Sequence, residues 1–154
     1  MTKDLRVNSD RMLASFNQLA LIGATAEGGV NRPTFSEAHL AARKWFREEI
    51  ERAGLEFRSD GAGNHSAFFA LPKGHRDDVS GESRQANADE AQVKTLLLGS
   101  HLDSVPNGGR FDGTLGVIAA LEVLRTVKES GIKLHVNLEA IDFTDEEGTL
   151  VGLL

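Results

Sequence analysis

Cysteine is missing from this chain. Its absence excludes a disulfide framework, and leaves histidine and carboxylate as the side chains able to hold a metal. Long apolar runs are missing as well: none approaches the length needed to span a membrane, and Met1-Thr2-Lys3-Asp4 carries no apolar signal core. Nor is there a basic cluster to offset 23 acidic against 17 basic residues, a formal net charge of −6. Neither nucleic acid nor an anionic membrane is therefore expected as the main partner. No internal repeat and no linker divides the chain. What is present is the composition of an ordinary globular domain, 154 residues with 40% hydrophobic and 26% charged. That length suffices for one core burying roughly two thirds of the unfolded surface. A cytoplasmic setting is the default expectation.

Helical spacing organises the first third. Asn8-Ser9-Asp10 is a helix start, followed by Met12, Leu13, Phe16, Leu19 and Ala20 on one stripe. Gly23 to Pro33 reads as a loop. Ser36 is a natural N-cap for a second helix, with Phe35 and Leu40 at the positions of a hydrophobic staple and Gly54 at its end. Its buried side should carry Ala42, Phe46, Ile50 and Ala53, with Trp45 beside them. Leu55 to Arg58 and His65 to Leu71 alternate around Asp60-Gly61-Ala62-Gly63-Asn64, the pattern of a hairpin. Lys73 to Gln92 is a polar loop with almost no large apolar residue.

Beyond that loop the grammar changes. Val93 to Leu98 reads as a buried strand. Gly113 to Ser130 is a helix with Leu115, Ile118, Leu121, Val123, Leu124 and Val127 inward, stopped by Gly131. Leu134 to Phe143 is a second strand, a parallel neighbour of the first if they share a sheet. Each strand ends abruptly in a block of acidic residues, histidine and glycine: Gly99 to Gly113, then Phe143 to Gly148. In open α/β sheets, ligands bind beyond the carboxyl ends of the strands.

Singly, these residues have ordinary uses. His101 suits a hydrogen-bonded histidine at a strand end, Asp112 a helix cap, and Asp145-Glu146-Glu147 a solvated turn. His39, on a helix surface, and His65, His75 and His135, at loop, hairpin and strand positions, have nothing nearby in sequence to complete a site. Together, one imidazole and three carboxylates at one sheet edge suit a divalent ion and a water to be activated. Glu146 and Glu147 would supply one ligand and one free base if the turn aims them apart. Asp103 is placed to accept the other ring N–H of His101, and Gly108-Gly109 and Gly113 would let the backbone fold tightly there.

The two blocks resemble the metal-binding motifs of the M20-type metallohydrolases. Within that group Asn107-Gly108-Gly109-Arg110-Phe111-Asp112-Gly113 is similar to the branch of N-carbamoyl-L-amino-acid hydrolases, allantoate amidohydrolases and β-ureidopropionases. Thr34-Phe35-Ser36 and Asp60-Gly61-Ala62-Gly63-Asn64 are supporting matches. The resemblance implies an α/β fold, part of a zinc-exopeptidase-like catalytic domain. In it a mixed sheet, with an N-terminal hairpin and a strand–helix–strand unit, is flanked by helices. It implies two divalent ions, zinc first, manganese or cobalt next. His101 would bind one ion, Asp112 bridge both and Glu147 bind the second; Glu146 would be general base and Asp103 the partner of the His101 ring. The implied reaction is hydrolysis of a linear amide, ureido or amidine carbon–nitrogen bond in a small-molecule substrate. A metallo-exopeptidase or aminoacylase on the same fold, and a non-catalytic remnant, are the competing readings.

Members of that family run on for a few hundred residues. They add two histidine ligands, one for each metal, and an inserted domain that forms the dimer and closes over substrate. Residues 1–154 are accordingly read as the N-terminal portion of one catalytic domain. On that reading the isolated chain binds metal weakly and turns over little. Zinc stoichiometry and ureidase activity of the purified chain test this, and two tightly held ions with good turnover refute it.

Overall fold

A computed structural model describes residues 4–71 and 93–150. The polar loop at 73–92 and His75 within it lie outside the described residues. The first helix, α1 (Ser9–Ala20), opens on Asn8, whose side chain accepts from the Arg11 amide at 3.0 Å. Its buried strip is Ser15, Phe16 and Leu19, with Met12 partly buried; Leu13 is exposed, against the stripe read from sequence. The strip is turned because Arg11, on the neighbouring face, reaches across to Glu122 at 2.8 Å and to Glu129. In α2 (Glu37–Arg52), Ser36 caps the His39 amide at 3.2 Å and Gly54 follows the last turn at φ +63°. Ala42, Phe46 and Ile50 are buried as expected, while both supposed staple residues, Phe35 and Leu40, are about half exposed. Phe35 instead tilts over the His39 ring.

β1 (Glu56–Ser59) and β2 (His65–Phe69) form the antiparallel hairpin. β3 (Thr95–His101) leads through α3 (Thr114–Ser130) to β4 (Asn137–Phe143). β4 pairs antiparallel with β2 and parallel with β3, in the order β1-β2-β4-β3. The strand–helix–strand unit is the one the two apolar runs call for, and the mixed sheet is the one the resemblance implies. One core joins helices to sheet, built from Phe16, Leu19, Phe46, Ile50, Ala67, Val117, Leu121, Leu124 and Leu138.

Several burial expectations change. The strand expected at Val93 to Leu98 is an edge strand, so Leu96 and Leu97 remain 50% and 47% exposed rather than buried. Leu115, in the first turn of α3, is exposed, and His135 sits in a bend before β4 begins. His39 is fully buried, not on a helix surface. Charge takes interior positions that hydrophobic spacing does not flag. Glu122 has no exposed surface and accepts from the Asn8 amide and from Arg11, while Arg125 reaches Glu49 on α2.

The two parallel strands approach closely at Gly99. Gly99 has φ +146°, and a Cβ there would fall inside the Ile141 carbonyl oxygen of β4. Gly99→Ala therefore adds backbone strain to overpacking, together about 2–5 kcal/mol. Urea unfolding should show a large fall in midpoint, and an unchanged midpoint would contradict the pairing described.

Candidate metal centre

His101 is the last residue of β3 and is buried. Its Nδ1 lies 3.1 Å from the Asp103 backbone carbonyl and 3.5 Å from the Asp103 carboxylate, so the nearer partner is the carbonyl. With Nδ1 engaged, Nε2 is left facing the acidic groups. It is 3.3 Å from Glu146 Oε2 and 3.9 Å from Asp112 Oδ1. Asp103 Oδ2 accepts from Thr34 Oγ1 at 3.2 Å and from the Glu147 amide at 3.1 Å, joining the two strand ends through one carboxylate.

Asp112 does not cap α3. The N-cap is Gly113, which has no side chain to do it, and the Asp112 side chain stays 69% exposed. Gly113 has φ +60°, and a Cβ there would sit 2.5 Å from the His101 ring. Only glycine can follow Asp112 while the imidazole keeps its place. Gly109 faces open space, whereas a Cβ on Gly108 would lie 3.1 Å from the Val105 carbonyl oxygen, so of the three glycines expected to let the backbone fold tightly, Gly108 and Gly113 do so. The acidic turn after β4 is made by Asp145 at φ +60° and Gly148 at φ +64°. Asp145 is buried and accepts from Thr149 Oγ1 and the Leu150 amide.

One ligand atom each from His101, Asp112 and Glu147 lies within 4.8 Å of the others. One imidazole nitrogen with two hard carboxylate oxygens is a donor set that zinc, manganese and cobalt accept. The group can hold a divalent ion, with Glu146 beside it.

Four buried residues beneath the site were not singled out as site residues from sequence. Arg32 donates to Leu102 O at 2.9 Å and Thr114 Oγ1 at 2.7 Å, tying the end of β3 to the start of α3. Thr34 bonds Asp103, as above. Asp142 accepts from the Leu102 amide at 2.8 Å and lies 3.3 Å from Arg43 Nε. Asp142 had a readable signal: a lone carboxylate inside the apolar run Ala140-Ile141-Asp142-Phe143.

The electrostatics follow from this packing. Burial works against a charged His101, but the Asp103 carboxylate and carbonyl, with Glu146, outweigh it and raise the imidazole to about 9. Burial also opposes the Asp103 charge, yet His101, the Glu147 amide and Thr34 hold that carboxyl below its ordinary value. His39 and His65 go the other way, to about 4, through burial and the nearby Arg43 guanidinium. Burial pushes the Asp142 carboxyl up despite Arg43 and the Leu102 amide.

Fold and donor set together define an α/β domain of the zinc-exopeptidase kind. Residues 79–152 match Peptidase family M28. Over 92% of its length the chain is 36% identical to an N-carbamoyl-L-amino acid amidohydrolase from Geobacillus stearothermophilus, covering 31% of that protein. It is 33% identical to an allantoate amidohydrolase from Bacillus subtilis, over 85% of this chain and 28% of the relative. A crystal structure of a hydantoinase/carbamoylase family amidase from Burkholderia ambifaria superposes with a TM-score of 0.78 at 35% identity, over 94% of this chain and 31% of that one. The chain belongs to this amidohydrolase family, within the M20/M28-type metallohydrolases, and spans about a third of the length of such relatives.

Opposed histidine shifts give the metal-free chain a stability optimum. His101, raised from about 6.5 to about 9, favours the fold while protonated, so its contribution is complete below pH 6.5 and lost as pH climbs to 9. His39 and His65, lowered to about 4, favour it while neutral, and their contribution disappears as pH falls from 6.5 to 4. Urea midpoints across pH 4–9 should peak near neutrality, His101→Gln flattening the alkaline limb and His39→Gln part of the acid limb. A monotonic profile would contradict these environments.

Proposed function

We propose that this chain supplies the N-terminal portion of the catalytic domain of a two-metal amidohydrolase. The substrate class is a linear amide, ureido or amidine compound, such as an N-carbamoyl-L-amino acid or allantoate. The single observation that carries the reading is the approach of His101, Asp112 and Glu147 within 4.8 Å, with Glu146 beside the imidazole. His101 would bind one ion, Asp112 bridge the pair and Glu147 bind the second; zinc is favoured, with manganese or cobalt as substitutes. Two ions on these three residues fall short of the usual three protein ligands each. Relatives are about three times as long, which leaves room for the further ligands, inserted lid domain and homodimer interface that the family resemblance implies.

When bound, divalent ions polarise the scissile carbonyl and make water a nucleophile near neutral pH. The chain's own residues do the rest. Glu146, whose side chain is half exposed, takes a proton from the attacking water as the new carbon–oxygen bond forms. It returns that proton to the leaving nitrogen as the carbon–nitrogen bond breaks. Asp103 holds the His101 ring by Nδ1, keeping Nε2 turned to the site. That hold on the ring is made by the Asp103 backbone carbonyl, while its carboxylate fixes the Glu147 amide and keeps the acidic turn against the end of β3.

The match to Peptidase family M28 favours a second reading, a metallo-exopeptidase or aminoacylase on the same scaffold. In the full chain Glu146→Gln should cut kcat by about 10²–10⁴ while metal content, measured by emission spectroscopy, is retained. N-carbamoyl amino acids should be cleaved faster than dipeptides. Faster dipeptide cleavage selects the peptidase, and activity untouched by Glu146→Gln refutes the catalytic role.

A further inference from the structure

The β1–β2 connection is larger than a hairpin needs. Two residues suffice to join antiparallel strands, whereas Asp60 to Asn64 form a five-residue turn latched by its own side chains. Asp60 Oδ1 accepts the amides of Ala62 at 3.0 Å and Asn64 at 2.9 Å, and Oδ2 accepts the Asn64 side-chain Nδ2 at 2.9 Å. Gripped by its nitrogen, the Asn64 amide presents Oδ1 outward, where it accepts the backbone N–H of Thr144 at 2.8 Å. Thr144 Oγ1 in turn donates to the Gly63 carbonyl at 2.8 Å, and Arg43 donates to that carbonyl as well. The first residue after β4 is thus held at two points by a turn far away in sequence.

We propose that Asn64 is a positioning residue for the acidic turn, acting through Thr144 on Glu146 and Glu147; its functional consequence rests on the metal-centre reading above. The turn is clamped from two sides. Asp103 fixes the Glu147 amide from the β3 side, and Asn64 fixes Thr144 from the hairpin side. Between these points stand Asp145 and Glu146. An uncharged amide is the suitable acceptor here. A carboxylate at 64 would offer the same oxygen but add a negative charge beside Asp60 and the acids of the turn. Gly63, at φ +81°, lets the chain bring its carbonyl and the Asn64 amide to Thr144 together.

The test reads position and metal separately, in the full chain. Amide hydrogen exchange at Thr144 and Glu147 reports the clamp; cobalt titration, followed by visible absorption, reports the site. Asn64→Ala should speed exchange at both amides at least about tenfold over that at Ala67 in β2, and weaken cobalt binding about 10–100-fold. Its cobalt spectrum should also change shape. Thr144→Val should follow it in weaker form, and Thr144→Ser, which keeps the hydroxyl, should match the unsubstituted protein. Unchanged exchange at Glu147 overturns the proposal, and so does equal loosening at Ala67, which would mean mere loss of stability. If the unsubstituted chain binds no cobalt but Asn64→Ala still frees Glu147, the positioning role stands and the metal-centre reading falls.

Discussion

Parallel pairing of β3 with β4 is the constraint from which the site descends. The ladder sets Ser100 opposite Asp142 and His101 opposite Phe143, so the imidazole and the acidic turn leave the sheet at the same level. A slip of one residue would send His101 to the other face. Register is held by more than backbone bonds. Gly99 lets β4 approach more closely than any side chain would permit, and Gly116 lets α3 settle on Ser100. Leu102, one residue beyond the last pair, donates its amide to the Asp142 side chain, so a side chain continues the ladder where the strands diverge.

That continuation places charge in the interior. Asp142 and Arg43 are both buried and face one another, and a buried ion pair contributes little net stability once its desolvation is counted. Its value here is geometric. Arg43 touches Asp142 and the Gly63 carbonyl, so one guanidinium spans the sheet interior and the hairpin turn. Arg32 does the same on the other side, linking Leu102, Thr114 and the end of α1. Five rigid donors suit such bracing better than the single point charge of a lysine.

The sequence and the structure agree most where periodicity and turn chemistry act together. The Ser36 cap, the Asp60–Asn64 turn, the Gly131 stop and the order strand–helix–strand are local facts with local signals. The structure also brings His101, Asp112 and Glu147 together at the edge where the two strand-end motifs converge. What local pattern missed is tertiary. Leu13 and Leu115 lie on the periodic stripe, yet neighbouring elements claim an adjoining strip of each helix. Arg11, Glu49, Glu122 and Arg125 carry no local signal of their pairing, because one charge in sequence does not disclose the opposite charge that will neutralise it. His39 was misplaced for the same reason: Phe35, four residues away, donates its amide to the ring, and that bond lets an imidazole be buried neutral. The edge position of β3 is a property of strand order, which apolar character alone does not encode.

The elevated His101 value ties the electrostatics to the proposed chemistry. Asp103 and Glu146 crowd one imidazole, with Asp112 and Glu147 close by, while Arg32 and Arg43 are committed to carbonyls and to Asp142. The excess negative charge favours whatever cation reaches Nε2. Without metal that cation is a proton; on the proposed function a divalent ion would compete for the same nitrogen and gain from more of the carboxylates at once. On that proposal metal affinity and His101 basicity would be two readings of one field. Any change that relaxes the carboxylates away from Nε2 should lower both together, whereas a change that only empties the coordination sphere would lower the first and spare the second.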